Sequence, residues 1–264
     1  MWIMIQAPTA GARTGTQAIE RAVLVLREVA MRGSVGWDLQ ELAARCELNR
    51  PTVHRILRCL VEERLVEQRA SDKRYLLGPL TFELGLSVPV RPAFLESVRQ
   101  AVQRLARKLP KMTAISALRS GDDCICVARA GPSAGEAAAL RIGQRIGLLS
   151  RASGVAIVAA LPVQEARALQ ARSRRRLAHL GAEHLSRAEQ QVKVGRQRGY
   201  VLLTDGALWR GVHVLSMAFG PQGAPVGSVS IVGWESTWPA DAVPVLLPLL
   251  RETADALTAE FNPP

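Results

Sequence analysis

A chain of 264 residues, 48% of them apolar but only 4% aromatic, is long enough to hold two domains with real cores. Its formal net charge of +11 suits a polyanionic partner, yet the excess is spread out: residues 1–80 hold 12 basic residues against 9 acidic ones, and the remainder 22 against 14. No apolar run reaches the ~18 residues of a membrane-spanning helix, and the apolar stretch at residues 2–5 is too short for a signal-peptide core, so a cytoplasmic protein is expected.

Residues 1–15 are small and polar and are expected to form a disordered arm. Over 16–31, Ile19, Ala22, Val23, Leu26 and Val29 recur at helical spacing and predict a first helix. The Arg-Gly-Ser-Val-Gly stretch at 32–36 ends it, and Asp38 is placed to cap the next. Leu39, Leu42, Ala43 and Cys46 predict a short second helix; Val53, Ile56, Leu57 and Leu60 predict a third, from about residue 50 to 63. Asn49 is its natural N-cap, and Pro51 falls in the first turn, where a missing N–H leaves nothing unpaired. The far side of this third helix carries Thr52, Arg55, Arg58, Cys59 and Glu62, with Asn49 and Arg50 at its start.

Such a pair has two readings. One is an ordinary helical hairpin with a solvated basic face. The other is a helix-turn-helix, whose second member presents its first residues to base edges and its arginines to phosphate or guanine. The next segment of the chain favours the second. Residues 65–69 and 73–78 read as two strands around a polar turn at 70–72, with Arg69, Lys73 and Arg74 near the tip. A basic wing directly after a helix pair is more specific than either piece, because it can lie along the DNA backbone or in the minor groove. The candidate DNA-binding residues are Asn49, Arg50, Thr52, His54, Arg55, Arg58, Lys73 and Arg74.

A short connecting helix over 78–86 ends at the prolines of 89–92, so the predicted organisation is a winged helix-turn-helix at 16–78, a linker at 79–92 and a second domain at 93–264. The second domain opens with an amphipathic helix at 94–109. Strands are predicted at 112–118 and 124–130, joined by a turn, with a third at 137–142 and others at 200–203, 212–219 and 226–232. Helices are predicted at 155–161, 164–169, 187–198 and 241–261. The expected fold class is α+β, with helices on one side of a largely antiparallel sheet.

Cys46 and Cys59 sit at or near the apolar faces of their helices, and Cys124 and Cys126 lie two apart on one strand, so small buried or half-buried thiols are expected, with a thiol sensor or metal clip as the alternative. Cysteines and histidines show no zinc spacing, and neither metal nor cofactor is expected. The chain has no Gly-x-Ser-x-Gly elbow and no phosphate-cradling glycine loop, so an enzyme is not expected. The basic run at 172–176 reads as a solvated face, with a second nucleic-acid contact as the alternative.

Several stretches, in order, resemble the IclR family of bacterial transcriptional regulators. Ile19-Glu20-Arg21-Ala22-Val23-Leu24 is similar to the family's opening helix, Leu39-Gln40-Glu41-Leu42-Ala43 with Pro51-Thr52-Val53-His54-Arg55-Ile56-Leu57 to its helix-turn-helix, and Arg74-Tyr75-Leu76-Leu77-Gly78 to its wing exit. Gly143-Gln144-Arg145, Ala152-Ser153-Gly154-Val155-Ala156, Gly199-Tyr200, Asp205, Gly211-Val212 and Ser228-Val229-Ser230-Ile231 resemble its effector domain. The resemblance implies an N-terminal winged helix-turn-helix plus a C-terminal GAF-like α/β effector-binding domain, acting as a homodimer or tetramer on a double-stranded DNA operator. It implies control by a small-molecule effector, an organic acid or aromatic catabolite, with repression and activation both open. The competing reading is a sequence-nonspecific nucleic-acid-binding protein.

The chain departs from the family pattern at named positions. Pro51 stands for a usual serine, Arg64 for a glycine after the third helix, Gly147 for a proline and Arg151 for a threonine. Val232 and Val214 replace a serine and a cysteine carried by some members, which makes the pocket less polar. The stretch 147–154 leads into an alanine-rich helix that Ser150 or Ser153 can cap, and a helix start beside an arginine favours a carboxylate. The candidate effector-binding residues are therefore Ala152, Ser153, Asp205 and Ser230, with Leu149, Val214 and Val232 as apolar wall and Arg151 as partner for an anion.

Overall fold

The computed structural model describes residues 16–87, 92–132, 140–204, 211–239 and 241–261. The chain divides into two compact units, residues 1–90 and 91–264. The arm expected at 1–15 lies outside the described residues.

In the first unit, α1 (Gln17–Met31), α2 (Leu39–Cys46) and α3 (Arg50–Glu62) are followed by a two-stranded ribbon, β1 (Val66–Gln68) and β2 (Tyr75–Leu77), and by α4 (Pro79–Ser87). Local chemistry sets the helix starts. The Asp38 carboxylate accepts from the N–H groups of Gln40 and Glu41 at 2.8 and 2.9 Å, and the Asn49 side chain accepts from Thr52 N–H at 2.9 Å. The turn between α2 and α3 is closed by Glu47, whose φ of +54° lets Leu48 N–H reach back to the Ala43 carbonyl. Arg64, where the family pattern has glycine, takes φ +59° at the end of α3, a region that glycine enters without a side-chain clash.

One core holds the unit together: Val25, Val29, Leu42, Val53, Leu57, Leu60, Val66 and Tyr75 gather around Trp37. Trp37 exchanges two backbone hydrogen bonds with Tyr75, at 3.0 and 2.8 Å, which adds a third short rung to the wing. Its indole N–H donates to the Glu28 carbonyl at 2.8 Å, and the Arg32 guanidinium lies 3.6 Å from the ring centroid. Cys46 is buried as expected, but Cys59 is exposed: it falls on the turn of α3 shared with Arg55 and Arg58, away from the apolar stripe.

The second unit is built on a six-stranded antiparallel sheet in the order β5-β4-β3-β8-β7-β6. Its strands are β3 (Thr113–Ser120), β4 (Asp123–Ala130), β5 (Arg145–Gly147), β6 (Val201–Leu203), β7 (Val212–Phe219) and β8 (Gly227–Trp234). Of the stretch 137–142, where the sequence predicts a third strand, residues 140–142 are irregular and 137–139 lie outside the described residues. The edge strand is instead β5, which pairs with Asp123 to Ile125 of β4.

Helices cover both faces of the sheet, not one. α5 (Pro92–Lys108) and α9 (Ala242–Ala259) pack Val98, Val102, Leu105, Leu246, Leu250 and Leu257 against Leu215, Met217, Val229 and Ile231. On the other face, α6 (Ala152–Ala160), α7 (Val163–Arg176) and α8 (Ala182–Arg198) bury Val155, Ile157, Leu169, Leu185 and Val192 with Ala117, Cys124 and Val201. The physical reason lies in β8, where Gly227 through Gly233 are all buried, so neither face is left for water. α7 runs through Arg176, well past the predicted end at 169. Among the described residues, no helix is long and apolar enough to cross a membrane.

Candidate functional site

Two surfaces carry chemistry. On the first unit, Asn49 and Pro51 fix where α3 begins, and helical periodicity then sends Val53, Leu57 and Leu60 inward while Arg50, His54, Arg55 and Arg58 face solvent and Thr52 is half-buried. Arg58 pairs loosely with Glu62 one turn on, at 3.4 Å. Arg50 and Arg55 make no ion pair among the described residues, so their donors face outward.

The wing is less available than its composition suggests. Arg69 donates to the Ser34 and Val35 carbonyls at 2.8 and 3.1 Å and grips Asp72 with two bonds of 2.9 and 2.7 Å. That guanidinium pulls the Asp72 carboxyl down to about 2. Arg74 is half-buried: it donates to the Gly36 carbonyl at 3.1 Å and lies 3.6 Å from Glu41. Both arginines hold the wing to the loop before α2. Lys73, at φ +58° in the turn, is the exposed basic residue of the tip.

In the second unit a cavity of about 150 Å³ opens between the sheet and the start of α6. At roughly 10–15 Å³ per water-sized site, it holds on the order of ten waters or a comparably small molecule. Leu149, Arg151, Ala152 and Ser153 line it from the loop and first turn of α6, and Val214, Ser230 and Val232 from the sheet. Asp205, grouped with them on sequence grounds, lies outside the described residues. Ile115, Leu140, Val155, Val212 and Leu203 complete the apolar wall, joined by Thr204.

α6 presents an uncapped start to this cavity. Arg151 occupies the N-cap position with extended backbone and no capping side-chain bond. The serines expected as caps do not serve: the Ser150 hydroxyl donates back to the Gly147 carbonyl at 2.6 Å, and Ser153 sits within the first turn. Neither Arg151 nor, among the described residues, either serine caps the opening N–H groups, and the helix dipole adds positive character. Gly154 allows the packing behind them: a Cβ there would stand 2.2 Å from the Leu148 carbonyl oxygen. Burial holds the Arg151 guanidinium below its ordinary value, yet an arginine stays cationic at neutral pH. The Ser230 hydroxyl is 2.8 Å from that of Ser216, which fixes it in the floor.

Sequence reasoning missed the third wall. His184, Arg187, Ala188 and Gln191, one face of α8, also line the cavity. The predicted helix begins at 187 and leaves His184 out, and polar residues such as Arg187 and Gln191 at helical spacing read equally well as a solvated stripe. The basic run in α7 has its own partners: Arg172 grips Asp122 at 2.8 and 2.9 Å, Arg174 grips Glu189 at 2.7 Å, and Arg176 pairs with Asp123. Those contacts tie α7 to the β3–β4 turn and to α8. The hydrogen bonds from Arg172 hold the Asp122 carboxyl below its usual range. Among the described residues, no cluster of three His, Cys, Asp or Glu is arranged to hold a metal.

Comparison with known proteins bears on both units. The model of the IclR helix-turn-helix domain matches residues 18–70, and that of the bacterial transcriptional regulator IclR C-terminal domain matches residues 91–259. An HTH-type transcriptional regulator of Mycobacterium tuberculosis is 33% identical over 159 residues, a match spanning 60% of each chain. The HTH-type transcriptional regulator BhcR of Paracoccus denitrificans is 26% identical over 189 residues, 71% of this chain and 67% of that protein. Among solved structures, an IclR transcriptional regulator from Silicibacter superposes with a TM-score of 0.73 at 20% identity, covering 92% of this chain and 96% of that one. An IclR homolog from Microbacterium hydrocarbonoxydans, complexed with 4-hydroxybenzoate, gives 0.67 at 16% identity, covering 93% and 99%. At these identities the structural likeness is one of fold.

Proposed function

The chain belongs to the IclR family of bacterial transcriptional regulators, and we propose that it is a ligand-controlled, operator-binding switch working in the cytoplasm. α3 enters the major groove with Asn49, Arg50, Thr52, His54 and Arg55 toward base edges, while Arg58 and Lys73 neutralise phosphates. Arg74 contributes by holding the wing rather than by touching DNA directly.

Two copies act together. α1 and α4 leave Ile19, Val23, Phe82 and Leu86 exposed, with Phe82 at 69% and Leu86 at 71%, apolar side chains open to a partner. A second copy of the first unit covers such a surface and presents a second α3 to a second half-site about one DNA turn away.

The observation that carries the effector half of the reading is the cavity. An uncapped helix start and Arg151 face into a largely apolar space of small-molecule size. That combination suits a carboxylate with an apolar body, in keeping with the 4-hydroxybenzoate held by the Microbacterium homolog. Occupancy and operator binding are then two linked equilibria, with a coupling typically worth about 1–3 kcal/mol. Footprinting with a salt titration tests the DNA half: a discrete, two-fold protected site supports it, whereas uniform, salt-labile protection supports a sequence-nonspecific binder. Calorimetry of Ser153→Ala and Ser230→Ala with 4-hydroxybenzoate tests the other half, and unchanged affinity in both removes the assignment.

A further inference from the structure

The α8 wall says more about the ligand. His184 Nε2 donates to the Leu149 carbonyl at 3.2 Å, just before α6 begins, and Arg196 donates to the Leu161 and Val158 carbonyls at 2.6 and 3.4 Å, where α6 ends. α8 therefore runs beside α6 in the same direction, and both helices start at the same end of the cavity. The start of α8 is also uncapped, since Gly181 has no side chain to offer. From that end Arg187 and Gln191 reach the cavity wall, one and two turns beyond His184.

Arg151 and Arg187 line the cavity from two different helices, so two guanidinium groups border one space. Arg187 is held by Glu183, Nη2 to Oε1 at 2.8 Å, but the Glu183 side chain is 87% exposed. A solvent-screened pair of this kind is weak, and an anion inside the cavity displaces it at little cost. A guanidinium offers the planar pair of donors that a carboxylate matches, and Gln191 beside it adds a further amide donor.

We infer that Arg187 is a second anion handle of this cavity and that its ligand is a small organic dianion, with one acidic group at the start of α6 and the other on Arg187. The inference rests on the effector reading of the cavity and sharpens it from organic acid to diacid. It makes Arg187 a specificity-determining residue: it separates a diacid from the monoacid of the same size.

The test is calorimetry on the full chain with matched pairs of probes: succinate against butyrate, glutarate against valerate, and terephthalate against 4-methylbenzoate. At least one diacid should bind about tenfold more tightly than its partner, as an added charge-assisted bidentate bond predicts. Arg187→Gln should bring that pair to within about twofold by weakening the diacid alone, and Arg187→Lys should restore part of the gap. If monoacids bind as well as their diacids, the dianion inference fails while the effector reading stands. An Arg187→Gln protein that keeps the preference, or weakens both members of a pair equally, removes Arg187 from the role. No binding by any of the six probes overturns the effector reading and this inference with it.

Discussion

Gly154→Ala puts the geometry of the α6 start to a direct test. An alanine Cβ at this position would lie 2.2 Å from the Leu148 carbonyl oxygen and 2.6 Å from its Cα, both backbone atoms that no rotamer change can move. Real Cβ contacts stay beyond 3.0 Å, so the first turn of α6 must retreat from Leu148 by most of an ångström. Overpacking of this kind costs about 1–3 kcal/mol. For a unit of this size that corresponds to roughly 2–12 °C in melting temperature. The same retreat displaces the uncapped N–H groups and Arg151, and hydrogen bonds weaken steeply with distance and angle, so ligand affinity should fall by about tenfold or more. Differential scanning calorimetry reads the first effect and ligand titration the second. DNA binding in the absence of ligand should persist, because α3 lies in the other unit. A Gly154→Ala protein with wild-type melting and wild-type ligand affinity would refute the claim that this close approach positions the site.

Other outcomes are expected on the same structural grounds. Arg55→Ala should lower operator affinity and leave melting unchanged, whereas Arg74→Ala should lower the stability of the first unit, because only Arg74 is engaged within the fold; thermal melts beside gel-shift titrations separate the two. The Asp72 carboxyl is depressed in the folded chain, so its bond to Arg69 holds the wing above about pH 4, the ordinary carboxylate value, and is lost as pH falls toward about 2. Carbon-detected NMR titration should find Asp72 near that lower value and Arg69→Gln should return it toward about 3.9. Burial pushes the thiols of Cys46 and Cys126 up to about 11 and that of Cys124 up to about 12, while Cys59 is exposed. Of the four cysteines, then, one should react with a thiol reagent in the native protein and all four after denaturation. Arg172→Gln with Arg174→Gln should loosen α7 in hydrogen exchange without changing DNA affinity, since both arginines already have carboxylate partners.

How far the molecule can be read from its sequence depends on the range of the forces involved. Caps and periodicity act over three or four residues, which is why Asp38, Asn49, Pro51 and the span of α3 were legible. Ala152, Ser153 and Ser230 were legible as cavity residues for a different reason: they fall in stretches that resemble family motifs, and Leu149, Arg151, Val214 and Val232 were read around them. What escaped depends on contacts distant in the chain. Trp37 joins the wing through Tyr75, and no local pattern announces a one-residue bridge. The wall formed by α8 exists only once α8 lies beside α6, and its polar stripe carries no mark that distinguishes a cavity from solvent. Weakly alternating strands suggest a sheet with helices on one side; small buried serines such as Ser216, Ser228 and Ser230 look like a wet face in sequence but pack under α6. Arg69 and Arg74 likewise look like free wing charge until their carbonyl partners are in view.

The central claim is that the outer face of α3 reads DNA. Nuclease footprinting of the full-length double variant Arg55→Glu/Arg58→Glu on a DNA fragment bearing the wild-type site addresses it most directly, with circular dichroism to confirm folding. Two charge reversals on an exposed face leave the core around Leu57 and Leu60 intact, so the variant should remain folded yet leave the site unprotected at concentrations that saturate it with wild type. A folded variant that still protects the same bases at the same concentration would contradict the account.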